Sequence, residues 1–150
     1  MGLLAMLLPL GPIDGEPSWS TVFNMTEGAH WIAIVDDDPS ILRALARLLK
    51  ARGLNAKTYI SARDFLAALP DGLPECLIVD LQMPEIDGPE LQRHLLLKGI
   101  RIPTIVMTAH NEVGVRERCE SAGAIAFLSK PLQEASLLAT IDDARRRPKG

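Results

Sequence analysis

Cysteine is scarce in this chain: Cys76 and Cys119 are the two in 150 residues. They lack the spacing of a metal site and the density of a disulfide scaffold, so the simplest setting is a reducing, cytoplasmic one in which both are small core or near-surface residues. An excess of positive charge is also missing. The net charge of −3 argues against nucleic acid as a default partner, because duplex binding draws most of its affinity from a cationic surface. No apolar run reaches membrane-spanning length. Met1 to Leu10 (MGLLAMLLPL) is strongly apolar, but it carries no Lys or Arg and is too short to cross a bilayer or to read as a secretory signal. Neither an internal repeat nor a low-complexity tract is found. His30, which precedes the first strand, and His94 in the third helix lack ligand spacing and read as surface residues.

What is present suits one globular domain. At 47% hydrophobic and 23% charged residues, 150 residues are enough for one real core and too few for a second. Residues 1–29 read as an extension. Gly11 to Gly28 is rich in Gly, Pro, Ser and Thr without usable periodicity, and Met25 stands shortly before the first patterned segment as a candidate translation start. The patterned domain is expected over 30–146, with 147–150 as a basic tail. The cluster Arg145, Arg146, Arg147 and Lys149 reads as a solvated end rather than a patch for nucleic acid or an acidic partner.

From Trp31 onward, short β-branched runs alternate with longer segments of helical period, the signature of βα units and a parallel sheet. Five units can be counted. The first strand, Trp31 to Val35, ends in Asp36, Asp37 and Asp38; Asp38 is an N-cap before Pro39. Ile41, Leu42, Leu45, Leu48 and Leu49 form the helical stripe, closed by Gly53. Strand two spans Lys57 to Ile60, and Ser61 with Asp64 caps the next helix. Strand three lies in Cys76 to Pro84 (CLIVDLQMP), an unbroken apolar run that reads as buried on both faces and delivers a single carboxylate, Asp80. A third helix with a wide leucine face covers Glu90 to Leu97 and ends at Gly99. Strand four is Thr104 to Met107, closing with Thr108 and Ala109. A fourth helix runs from Asn111 to about Gly123, with a weak apolar stripe that suggests partial exposure. Strand five, Ala124 to Leu128, leads to Ser129, Lys130 and Pro131, and the last helix turns Leu137, Leu138, Ile141 and Ala144 to one face.

Asp36 with Asp37, Asp80, Thr108 and Lys130 thus end strands one, three, four and five. Ligands of open parallel sheets bind outside these carboxyl ends. Three carboxylates within a few ångströms repel one another by roughly 4 kcal/mol per close pair at an effective dielectric near 20, so the cluster demands a cation. Hard oxygen ligands select Mg²⁺ or a similar ion, and Lys130 adds a compact positive charge. The set suits phosphoryl transfer to a carboxylate, with Thr108 able to donate to a phosphoryl oxygen. Each residue also has a bland reading: an acidic triplet before a helix is commonly a cap and dipole complement, and a lone strand-end Asp, Thr or Lys is commonly a loop residue. Coincidence at four strand ends favours the chemical reading.

The motifs IAIVDDDPSI, LIVDLQMPEIDG, PTIVMTA and AFLSKP, in this order, resemble the receiver domain of two-component response regulators over about Ile32 to Ala144. The resemblance implies a flavodoxin-like, doubly wound five-stranded parallel α/β sheet in the order 2-1-3-4-5. It implies that Asp80 is the phosphoacceptor, that Asp36, Asp37, Asp80 and the backbone carbonyl of Gln82 hold Mg²⁺, and that Lys130 contacts the phosphoryl group. Thr108 would be the switch hydroxyl, and Phe127 the aromatic rotamer switch, although alone Phe127 is equally a core aromatic. A cis peptide is expected at Lys130–Pro131. Ala109 and His110 would modulate water access at the site, His110 being otherwise a plain loop histidine. The implied partners are a histidine kinase or phosphotransfer protein and a downstream protein target. A stand-alone regulator is expected, with no helix-turn-helix, no direct nucleic-acid or membrane binding, and homodimerisation open.

Two rivals remain. Asp36 and Asp38 form a D-x-D pair after a first strand, as in haloacid-dehalogenase-like phosphohydrolases, but Pro39 and Ser40 do not continue that pattern and no cap insertion is present. A receiver-like interaction module that works unphosphorylated, as a dimer through its last helices, is the other.

Overall fold

Side-chain alternation in the central strands separates two apolar layers. The structure, a computed structural model, describes residues 30–109 and 113–147. The strands are β1 (Ile32–Val35), β2 (Ala56–Tyr59), β3 (Cys76–Asp80), β4 (Thr104–Thr108) and β5 (Ala124–Ser129). All pair in parallel in the order β2-β1-β3-β4-β5, as the resemblance implied. Every residue of β1, β3 and β4 is buried, whereas the edge strands are half-buried, which explains why the central strands read as unbroken apolar runs.

The helices are α1 (Pro39–Ala51), α2 (Ala62–Ala68), α3 (Gly88–Leu97), α4 (Val115–Ser121) and α5 (Glu134–Arg145), with a 3₁₀ turn at Leu69–Asp71. On one face of the sheet Ile32, Ile34, Cys76, Ile78, Ile105 and Met107 pack against α1 and α5. On the other, Ala33, Val35, Leu77, Val79 and Val106 meet α2, α3 and α4. Both cysteines are buried, and burial pushes the Cys76 thiol up to about 12, consistent with a packing role.

Local signals in the sequence map onto the caps. Asp38 accepts from the Ser40 amide at 2.8 Å ahead of Pro39, Gly53 follows α1 with φ +78°, and Ser61 accepts from the Asp64 amide at 3.0 Å. Lys130–Pro131 is cis.

Several boundaries differ from expectation. β2 spans Ala56–Tyr59 because Ile32 pairs with Ala56 at the start of the ladder and Val35 with Tyr59 at its end, leaving Ile60 49% exposed. α3 starts at Gly88 rather than Glu90, since Asp87 and Glu90 form a capping box and Pro89 suits the first turn. Its leucine face is narrower than expected: Leu91 and Leu95 are buried, but Leu97 is 87% exposed. α4 begins at Val115 after Gly114, whose φ is +85°; the expected start at Asn111 lies outside the described residues, as do His110, Lys149 and the extension before His30. Three residues of the basic cluster are described. Arg145 ends α5 and pairs with the buried Glu75 at 3.1 Å, and Arg146 and Arg147 pair with Asp142 and Asp143 one turn back.

Candidate functional site

Parallel register brings two of the acids side by side. Ile34 pairs with Ile78 and Val35 with Val79, so continuing each strand sets Asp36 beside Asp80 on the same row. Asp36 is 1% exposed and Asp80 8%. Asp37, the next residue, is exposed, yet its carboxylate completes a set with Asp36 and Asp80 in which one oxygen from each lies within 4.8 Å of the others. The Asp38 amide donates to Asp36 Oδ1 at 2.9 Å, fixing that carboxylate from the start of α1.

The lysine arrives from the far side of the sheet. Thr108 pairs with Ser129, and the Lys130 amide donates to the Thr108 carbonyl at 2.7 Å, which extends the β4–β5 ladder past the strand end. From there Lys130 Nζ reaches Asp36 Oδ2 and Asp80 Oδ1, each at 3.0 Å. Burial opposes its charge, but the hydrogen bonds and charges of Asp80 and Asp36 outweigh that, and its pKa rises above the ordinary lysine value. The Asp80 carboxyl is raised as well. Burial is the main cause; the hydrogen bond and charge of Lys130 pull the other way, and repulsion from Asp36 and Asp37 adds to the rise. A single ammonium facing three carboxylates leaves negative charge in excess. An oxygen-only donor set of this size and charge fits a hard divalent cation such as Mg²⁺.

Thr108 is buried at the end of β4, and Ala109 follows it, exposed. Gln82 is exposed two residues beyond Asp80 in the segment leading to α3. Phe127 is half-buried on β5, with the Arg116 guanidinium of α4 5.5 Å from its ring centre. The structure thus joins Asp36, Asp37, Asp80 and Lys130 by direct contact, and sets Thr108 into the ladder that carries Lys130.

The sequence reading overlooked the loop that braces Asp80. The Leu81 amide donates to the Met107 carbonyl at 2.7 Å, and the Gly88 amide to the Leu81 carbonyl at 3.0 Å. A Cβ on Gly88 would stand 3.0 Å from the Asp80 carbonyl oxygen, tighter than ordinary van der Waals contact, so glycine lets α3 begin this close to the site without displacing backbone. Between them Ile86 donates to the Pro84 carbonyl at 2.8 Å around Glu85, whose φ is +70°, a γ-turn with a left-handed centre. The Asp-Gly-Pro string was the available signal for the tight start of α3.

Known proteins share this sequence and fold. The sequence profile of the family described as "Response regulator receiver domain" matches residues 32–142. The response regulator protein TmoT of Ectopseudomonas mendocina is 38% identical over 121 residues, which are 81% of this chain and 55% of that protein. The transcriptional regulatory protein FixJ of Rhizobium meliloti is 37% identical over 115 residues, 77% of this chain and 56% of its own. This chain therefore spans about half the length of these curated relatives. The solved structure of FixJ-N superposes with a TM-score of 0.74 at 35% identity, covering 79% of this chain and 95% of that one. A response regulator receiver protein from Burkholderia phymatum gives 0.68 at 40% identity, over 79% and 97% of the two chains. With the profile match spanning most of the described residues and the fold shared with solved receiver structures, the chain belongs to the receiver domains of two-component response regulators.

Proposed function

We propose that this domain, residues 30–146, is a phosphoacceptor: a histidine kinase or phosphotransfer protein donates a phosphoryl group to Asp80. The observation that carries the reading is the Lys130 ammonium 3.0 Å from both Asp36 and Asp80 in a pocket where a third carboxylate, Asp37, lies within reach of the same ion. An Asp80 oxygen attacks phosphorus in line, the bond from phosphorus to the donor nitrogen breaks, and the imidazole leaves. Lys130 neutralises charge on the phosphoryl oxygens. Asp36, Asp37, Asp80 and the Gln82 carbonyl would hold Mg²⁺, which supplies further charge neutralisation when bound.

Thr108 would then donate its hydroxyl to a phosphoryl oxygen, and Phe127 would turn with it, shifting a two-state equilibrium at α4, β5 and α5 that a downstream protein reads. Ala109 and His110, which follow Thr108 in the sequence, would set water access. Incubation with acetyl phosphate and Mg²⁺ followed by intact-mass measurement tests the assignment. A labile phosphoryl adduct is expected on the wild type and none on Asp80→Asn; an undiminished adduct on that variant refutes it.

A further inference from the structure

Phe127 has a neighbour that its own helix does not account for. Val106 pairs with Phe127 and Thr108 with Ser129, and side chains two apart on a strand share a face, so Thr108 and Phe127 lie on the same side of the sheet. That side is covered by α4: Phe127 packs against the cluster that contains Val106, Val115 and Cys119. The Arg116 guanidinium stands 5.5 Å from the ring centre, within the range at which a cation is attracted to an aromatic face.

The first turn of α4 does not favour an arginine. Gly114 caps the helix and Arg116 is its second residue, where the positive end of the helix dipole disfavours a cation. Its ion pair with Glu120 spans 3.9 Å between side chains that are 61% and 60% exposed, and an arginine that precedes its acid is the weaker order for such a pair. The ring of Phe127 is the contact that compensates the position.

We propose that Arg116 is a positioning residue for the switch: its guanidinium holds the Phe127 ring in the resting orientation and so sets how far the two-state equilibrium leans to rest before Asp80 is modified. This rests on the reading of Asp80 as phosphoacceptor and of Phe127 as the side chain that turns with Thr108. A step of about 120° in χ1, from one staggered well to the next, carries the ring out from under the guanidinium, so the contact stabilises one state only. Such a contact biases the equilibrium by its full strength, about two- to fivefold for a solvent-exposed cation over a ring.

Fluorine NMR of the full chain carrying 4-fluorophenylalanine, titrated with beryllofluoride in excess Mg²⁺, tests the proposal. The chain has three phenylalanines, and Phe127→Leu identifies the signal of interest. In wild type that signal is expected to move on saturation. Arg116→Ala should shift it toward the saturated position before any beryllofluoride is added, and should tighten the apparent dissociation constant about two- to fivefold. Arg116→Lys, which keeps the cation, should restore part of the difference. Loss of a positive charge near an anion would by itself weaken binding, so tightening separates the ring contact from the charge. In a Phe127→Leu background, Arg116→Ala should bring no tightening. Unchanged or weaker binding by Arg116→Ala, or the same tightening without Phe127, overturns the role of Arg116 and leaves Asp80 as the acceptor. A Phe127 signal that stays in place when wild type is saturated overturns the switch and the role of Arg116 together, and failure of wild type to bind beryllofluoride overturns the reading of Asp80 on which both rest.

Discussion

At the scale of single residues, the site holds charge that the fold alone does not favour. The carboxyl of Asp80 is raised by burial and by Asp36 and Asp37, so ionising it works against folding in the absence of a cation. The sign follows from linkage: an acid whose folded pKa lies above its unfolded value loses stability as pH rises from the ordinary aspartate range through the folded value. Asp80→Asn should therefore match wild type in acid and be more stable at neutral pH without divalent ions, by about 0.5–2 kcal/mol, as urea denaturation across pH will read. Equal stability at both ends would show that Lys130 fully compensates the cluster. Magnesium should work in the opposite direction. At ten times its dissociation constant it adds about 1.4 kcal/mol to any state that binds it, so thermal melts with and without Mg²⁺ should show a gain in wild type that Asp80→Asn loses in large part. The acids, the threonine and the lysine were legible in the sequence because each ends a strand whose apolar pattern is plain. Their contacts were not, since register alone decides that Asp36 and Asp80 share one row.

At the scale of elements, the start of α3 matters most for the site. Gly88 lets the helix approach the Asp80 carbonyl, and the box of Asp87 and Glu90 closes its first turn with bonds of 2.9 and 3.0 Å. Gly88→Ala forces a Cβ against backbone that has little room to yield, and a loss of about 1–3 kcal/mol in chemical denaturation is expected, with slower phosphorylation by acetyl phosphate as the loop carrying Asp80 shifts. A variant as stable and as fast as wild type would mean that the helix can retreat without disturbing the strand end. Asp87→Ala, which removes the cap but no close contact, should cost about 1 kcal/mol. Element boundaries were read less well than element types for a physical reason. Caps such as Asp87 are local and readable in retrospect, but the end of β2 is set by the pairing of Val35 with Tyr59, and the exposure of Leu96 and Leu97 by where α3 runs out of neighbours. Neither is written in any short window of sequence.

At the scale of the whole molecule, the last helix is tied to the rest of the fold at both ends. Arg52, just after α1, pairs with Glu134 in the first turn of α5, and Arg145 in its last turn pairs with Glu75, whose side chain is 7% exposed. Sequence charge counting read Arg145 as part of a solvated tail because its partner lies 70 positions away in the chain and directly before β3. Breaking the inner pair removes the arginine's charge from beside a buried carboxylate, so Arg145→Ala should destabilise by about 1–3 kcal/mol. Glu75→Gln should cost less, and the double variant should fall short of the sum in equilibrium denaturation; strict additivity would assign the pair no coupling. The same tie has a geometric meaning. Since α5 runs antiparallel to the strands, Glu75 anchors its end at the pole from which β3 departs, while Asp80 sits where β3 arrives. Any polypeptide continuing beyond residue 147 starts from that clamped pole, so news of an event at Asp80 has to travel the length of the sheet or of α5 to reach it, as a change at one end of a beam is felt at its fixed support.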